Sequence, residues 1–225
     1  LIPSRLAPPP LEAARVRALI FDLDGTLVDS YAAIAESLNH AREAFHLPSL
    51  SEAQVRTQVG RGLEALISDL VGPERVRRGV TLFRQRYDEI YATKTRVLPG
   101  VAASLETLAD CGYPMTVASN KPARFGKAIV EELGLSPWLV SVHGPDTVGS
   151  TKPDPAMVRR CLQDMQVDAA SAVYVGDMLL DVETAARASV PVILVEGGSS
   201  DAADLRATGQ RCVAGLPELV ELLQG

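Results

Sequence analysis

Two aspartates two residues apart, Asp22 and Asp24, follow the apolar run Leu-Ile-Phe and lead into Gly25-Thr26. In extended chain such side chains point to one face, with Cα atoms roughly 6.5 Å apart. Two carboxylates at that spacing can divide a displacement between them: one attacks, the other handles a proton. Gly25 permits a sharp exit from an extended segment. Asp and Gly are also ordinary turn formers, so the pair takes its meaning from the apolar run before it. A second pair, Asp177 and Asp181, is four apart. At a helix start that spacing puts both on one face, although Asp177 alone would read as a helix cap. Like charges so placed repel unless a cation or hydrogen bonds compensate. With Asp22 and Asp24 at a neighbouring strand, a hard oxygen-liganded cation is expected. Few protein ligands plus water and substrate oxygens suit Mg²⁺.

Three further polar positions fit chemistry on a phosphate group. Lys152, in Lys-Pro-Asp-Pro, would offset the repulsion between an attacking carboxylate and a phosphate dianion. A lone loop lysine is otherwise a solvated one. Ser119 can donate its hydroxyl, and the backbone N–H groups that follow, from Asn120 onward, can bind phosphoryl oxygens. Arg61, between Gly60 and Gly62, sits on a loop that could lower a guanidinium onto an anion; the bland alternative is a plain interhelical loop. His40, His46 and His143 show no partner spacing and read as surface or half-buried side chains.

The elements that must position these residues alternate. Val16 to Phe21 reads as a buried strand. Residues 31 to 94 then carry helical spacing: Ala33, Ile34, Leu38 and Ala41 on one helix, a second opening at Ser51 as N-cap, a third through Leu63, Leu66, Ile67 and Leu70, and a long fourth through Val80, Phe83, Tyr87, Ile90 and Tyr91. After Leu98-Pro99-Gly100 come helix 101–109, strand 114–118, helix 124–133 closed by Gly134, strand 139–142, helix 155–165, strand 172–175, helix 182–188, strand 192–195 and closing helices around Leu205 and 216–223. Such alternation predicts an α/β fold, a Rossmann-like three-layer parallel sheet core with an inserted all-helical cap domain. The core is expected over 16–30 and 95–225, the cap over 31–94, and a flexible proline-rich tail over 1–15. Each polar cluster lies where a strand ends, the edge at which open α/β sheets bind ligands.

The 225 residues carry a net charge of -6 and are 47% hydrophobic, ordinary for a globular chain. That balance argues against a nucleic-acid partner. No apolar run reaches membrane-span length, and no secretory signal is expected at the N-terminus. Cys111, Cys161 and Cys212 form no C-x-x-C pair and read as reduced, mostly buried thiols, so a cytoplasmic location is expected.

Four segments in order, Phe-Asp22-Leu-Asp24-Gly-Thr-Leu-Val-Asp-Ser, Val-Ala-Ser119-Asn120-Lys121, Lys152-Pro-Asp-Pro and Val-Gly176-Asp177-Met-Leu-Leu-Asp181, resemble the motifs of the haloacid dehalogenase-like hydrolase superfamily. The resemblance implies that Asp22 is the nucleophile and forms an aspartyl-phosphate. It implies that Asp24 protonates the leaving alcohol and then activates water. Asp22, the backbone carbonyl of Asp24, and Asp177 would hold Mg²⁺, with Asp181 in support. Ser119 and Lys152 would bind the phosphoryl group, with Gly25, Thr26, Asn120 and Arg61 also at the substrate. Dehalogenases of the superfamily lack the second aspartate of the first motif, so Asp24 disfavours dehalogenation.

The insertion after that motif resembles the helical-cap subfamily, and the text is most similar to its phosphoglycolate phosphatase-like members. Ser119 stands where threonine is commoner, and Met178 and Leu180 where such members often carry serine and asparagine. The expected activity is Mg²⁺-dependent hydrolysis of a small phosphorylated metabolite by a monomer or homodimer. The alternatives are a phosphomutase of the same fold, a pyrophosphatase or a nucleotidase. A catalytically silent binding protein would show damage in at least one motif, and all four are intact.

Overall fold

In a computed structural model describing residues 7–224, eight strands and eleven α-helices follow one another in chain order. The strands are β1 (Ala18–Phe21), β2 (Val28–Asp29), β3 (Arg96–Val97), β4 (Met115–Ala118), β5 (Ser141–His143), β6 (Ala172–Gly176), β7 (Val192–Val195) and β8 (Arg211–Val213). The helices are α1 (Tyr31–Glu43), α2 (Glu52–Arg56), α3 (Leu63–Leu70), α4 (Val76–Lys94), α5 (Val101–Asp110), α6 (Ala123–Glu132), α7 (Pro145–Val148), α8 (Ala156–Met165), α9 (Leu179–Ala188), α10 (Ala202–Ala207) and α11 (Leu216–Gln224). Six strands pair in parallel in the order β5-β4-β1-β6-β7-β8. β1 therefore lies inside the sheet, between β4 and β6, and its C-terminal end opens at the middle of the sheet edge.

Strand periodicity sorts the core into two layers. Leu19 and Phe21 face one cluster with Val117, Val173 and Val175, while Ala18 and Ile20 face another with Tyr174, Val192 and Leu194. Both faces of these strands are apolar because helices cover both sides of a parallel sheet. Helices α1 to α4 gather an apolar core of their own around Ile34, Leu38, Ile67 and Phe83. Phe125 of α6 belongs to that cluster and meets Tyr87 edge-on at 4.9 Å between centroids. It thus joins the helical block to the sheet's own helices. Ser51 starts α2 through a capping box: its hydroxyl accepts from the Gln54 N–H, and the Gln54 side chain accepts from the Ser51 N–H.

Several features depart from the sequence reading. The sheet has a sixth strand, β8, of three residues, and β5 starts two residues later than expected. A two-residue antiparallel ribbon pairs Val28 with Val97 and Asp29 with Arg96, clasping both ends of the helical insertion. These pieces are too short for a periodic signal and form because the fold brings their partners alongside. Part of the proline-rich tail, residues 1–6, lies outside the described residues. Of the rest, Leu11 packs on the first core cluster and Ala13–Arg15 form a 3₁₀ turn. Only Cys161 is buried; Cys212 is half-buried and Cys111 exposed, and all three are free thiols. Among the described residues no helix is long and apolar enough to cross a membrane.

Candidate active site

The sheet order places the ends of β1, β4 and β6 side by side, and their polar residues converge. Asp22 leaves β1, and its N–H donates to the Val175 carbonyl of β6 at 2.8 Å. Its carboxylate lies 2.9 Å from Lys152 Nζ. Lys152 is only 3% exposed. The same Nζ is 2.7 Å from Asp181 Oδ1 and donates to the Tyr174 hydroxyl at 3.1 Å. Tyr174 in turn donates to the Ala118 carbonyl at 2.8 Å. Lys152 is thus no solvated loop lysine but the buried centre of two ion pairs. Burial alone would lower its pKa; Asp181 and Asp22 outweigh that and hold it well above the ordinary lysine value.

Asp177 and Asp181 frame the start of α9. Asp181 Oδ2 accepts from the N–H groups of Asp177 and Met178 at 3.1 and 3.0 Å, serving as an acidic first-turn cap. Asp177 accepts from Thr26 Oγ1 at 3.0 Å and from the Ser199 N–H at 2.6 Å. Carboxylate oxygens of Asp22, Asp177 and Asp181 lie within 4.8 Å of one another. One buried ammonium faces three buried carboxylates, so negative charge is left over. Desolvation pushes Asp177 well above the carboxylate range, and Asp22 and Asp181 add to the push. Asp181 is raised by desolvation too, with Lys152 pulling the other way. An oxygen-only donor set with surplus negative charge fits a hard divalent cation in both type and charge.

Asp24 is used differently. Its carboxylate accepts from the Ser30 hydroxyl and lies 3.0 Å from Lys121 Nζ. Lys121 also donates to the Tyr87 hydroxyl of α4 at 2.8 Å. The two aspartates of the first pair therefore sit in separate charge environments, Asp22 with the carboxylate cluster and Asp24 with its own ammonium. Between them and helices α1, α3 and α4 lies a cavity of about 80 Å³ whose floor includes Asp22, Asp24, Ser119 and Lys121.

The sequence model of the haloacid dehalogenase-like hydrolases matches residues 19–195. This chain belongs to that family. Among curated relatives, the phosphoglycolate phosphatase of Chromobacterium violaceum is 33% identical over 93% of this chain and 97% of its own. That of Rhodospirillum rubrum is 35% identical over 82% and 81%. A haloacid dehalogenase-like family hydrolase from Streptococcus pneumoniae superposes with a TM-score of 0.83 at 21% identity, covering 92% of this chain and 98% of the other. A hydrolase from Pseudomonas syringae does so with 0.79 at 23%, covering 92% and 97%. These two superpositions bear on the fold.

Within this hydrolase, several residues expected at the substrate are engaged elsewhere. The Thr26 hydroxyl is fully buried and spent on Asp177. The Gly25 N–H donates to the Val28 carbonyl at 2.8 Å, and its φ of 86° brings its Cα so close to Asp177 and the Tyr31 hydroxyl that a Cβ would overlap both. The Asn120 side chain braces two loops: it donates to the Gly60 carbonyl at 2.7 Å and accepts from the Lys152 N–H at 2.7 Å. Arg61 is exposed and pairs with Asp69 on α3, so its guanidinium is directed along the helical block rather than into the cavity. Ser119, 4% exposed, lines the cavity as expected. His143, expected without a partner, is buried with Nε2 2.7 Å from Asp164 Oδ2. Lys121 and Tyr87 are the functional candidates that the sequence reading passed over. Lys121 directly follows Ser119-Asn120 at the same strand end, which was the available signal. Tyr87 carried only a core helix position.

Proposed function

We propose that this hydrolase is an Mg²⁺-dependent phosphatase that cleaves a small phosphomonoester through an aspartyl-phosphate on Asp22. The observation that carries the reading is the position of the Asp22 carboxylate on the floor of a cavity, 2.9 Å from the buried Lys152 ammonium and grouped with Asp177 and Asp181. Residues 31–94 act as a cap over a core formed by 16–30 and 95–225. The family match and relatives named phosphoglycolate phosphatase support a phosphomonoester as the substrate class. The free thiols suit a reducing compartment, and the cytoplasm is the proposed location.

Asp22, Asp177 and the backbone carbonyl of Asp24 would hold Mg²⁺, with Asp181 supporting them. When bound, the ion supplies positive charge that offsets repulsion between the carboxylate and the phosphate dianion. A carboxylate oxygen of Asp22 attacks phosphorus, and the bond from phosphorus to the alcohol oxygen breaks. Asp24 gives its proton to that departing oxygen. It then takes a proton from water, which attacks the same phosphorus, frees inorganic phosphate and restores Asp22. Lys152 neutralises charge at Asp22 and at the transferring group, and Ser119 donates its hydroxyl to a phosphoryl oxygen.

Phosphate release from a panel of esters, with Mg²⁺ or with EDTA, tests the reading in wild type and Asp22→Asn. Release that needs the metal and disappears in the variant is expected. A folded Asp22→Asn variant that still turns over would remove Asp22 from the nucleophile's role.

A further inference from the structure

The residues at the sheet edge would serve any phosphate ester. What the ester carries is decided by the opposite wall, and that wall is apolar. Facing Asp22 and Asp24, the helical block presents Ile34, Val59, Leu63, Leu66 and Phe83, and α6 adds Phe125. A cavity of about 80 Å³ is smaller than the roughly 150 Å³ that houses a benzene ring, so the group it takes is short.

Among the described residues, Lys121 is the only cationic side chain lining the cavity. It is held at the floor, with Asp24 at 3.0 Å and the Tyr87 hydroxyl at 2.8 Å fixing the position of its ammonium. The segment leading to the cavity carries two arginines, and both are committed elsewhere. Arg61 pairs with Asp69 and borders an outer cleft on the far side of Val59 and Met178, which line both it and the cavity, rather than the cavity itself. Arg56 lies over the Tyr31 ring, 4.1 Å from its centroid, and donates to the Gly197 carbonyl at 3.2 Å. Lys152 sits behind Asp22, locked between it and Asp181. A carboxylate at the far end of the substrate would therefore rest on hydrocarbon, with Asp22 and Asp24 on the floor below it and Lys121 held back at that floor by Asp24 and Tyr87. An unpaired anion in such surroundings is strongly disfavoured.

We infer, on the phosphatase reading above, that the preferred substrates are phosphomonoesters of short, uncharged alcohols with an apolar end, and that the cap selects against carboxylated esters. The relatives' name would then describe their substrate and not this one. A pair of esters nearly matched in shape isolates the charge. Phosphoglycolate and isobutyl phosphate differ in little besides a carboxylate replaced by two methyl groups on carbon.

With Mg²⁺ and the full chain, kcat/KM for isobutyl phosphate is expected to exceed that for phosphoglycolate by about tenfold or more. Leu63 is half-buried at the start of α3, so Leu63→Lys adds a cation to the wall at a position that tolerates one. In that variant, checked for folding by circular dichroism, the ratio should swing about tenfold toward phosphoglycolate. Equal or faster turnover of phosphoglycolate by wild type would overturn the inference and leave the phosphatase intact. A folded Leu63→Lys protein with an unmoved ratio would overturn it as well, because the leaving group would then lie elsewhere. Release from no ester at all would bring down the phosphatase reading and the inference with it.

Discussion

The two sides of the cavity are built on opposite rules. On the sheet edge, Asp22, Asp177, Asp181 and Lys152 are all buried and hold one another through ion pairs and hydrogen bonds. On the helical side the buried positions are mostly apolar, with Arg42 an exception that donates to the Pro48 and Leu70 carbonyls, and most charge lies further out, as in the pairing of Glu36 with Arg86 and Lys94. A buried ionic cluster is a poor source of stability, since desolvation consumes most of the Coulomb gain. An apolar helical core is a good one. On the proposed mechanism, the sheet edge would be organised for reaction and the helical block for packing and selection. Changes at the edge should therefore cost activity, and fold only where they strip the buried carboxylates of their ammonium, while changes to exposed charges on the helical block should cost little of either.

The largest effect is expected from Asp22→Asn. Turnover should fall by a factor on the order of 10⁴ or more. The melting temperature should change little, because Lys152 keeps Asp181 as its partner and the change removes a like charge from beside Asp177 and Asp181. Steady-state phosphate release and a thermal melt check both parts; a large loss of stability would mean that Asp22 is a structural anion.

Lys152→Met comes next. It leaves three buried carboxylates without their ammonium, and stability should drop by about 3–5 kcal/mol, the usual result of stripping one partner from a buried pair. Activity should be lost as well. Denaturant melts measure the first; a near-neutral change would show that the carboxylates relax into water.

A smaller effect concerns pH and metal together. The Asp177 and Asp181 carboxyls are raised, by desolvation first. A carboxyl with a raised folded pKa binds its proton more tightly in the folded chain. Its stabilising share is full below the ordinary carboxylate value and is lost as pH rises through the raised folded value. The metal-free protein should therefore lose stability over that window. The rise in melting temperature on adding Mg²⁺ should grow with pH across it. A metal-induced rise that stays constant with pH would contradict the carboxylate cluster as the binding site.

The smallest effect is Arg61→Ala. Because Arg61 pairs with Asp69 in an exposed position, KM and stability should change by less than about twofold and about 1 kcal/mol. A tenfold rise in KM would show that the loop turns Arg61 inward when substrate binds.

Much of this organisation could be read from the chain alone, for a physical reason. A parallel sheet needs continuous apolar strands, so polar residues directly after them, such as Asp22, Ser119 and Asp177, mark the ligand edge without any tertiary knowledge. The fate of single side chains could not be read the same way. Thr26 spends its hydroxyl on Asp177, 151 positions away, and Asn120 donates to Gly60, 60 positions away. Lys121 stood in a quoted motif without a role of its own, because its partner Asp24 follows the neighbouring strand β1, far off in sequence. Arg61 carried a flexible-loop signal, but Asp69, near the end of the helix α3 that follows, claimed its charge. The β2–β3 ribbon and β8 stayed hidden because two or three residues hold no period.

The central claim is that the phosphoryl group passes through Asp22. Asp24→Asn should slow hydrolysis of the intermediate while good leaving groups still depart. Acid quenching of that variant with Mg²⁺ and an aryl phosphate, followed by mass spectrometry of its peptides, tests the claim most directly. The account predicts one added phosphoryl group on the peptide containing Asp22, absent when Asp22 is also changed to Asn. Phosphate release with no modified peptide at any quench time, or a phosphoryl group on another residue, would contradict it.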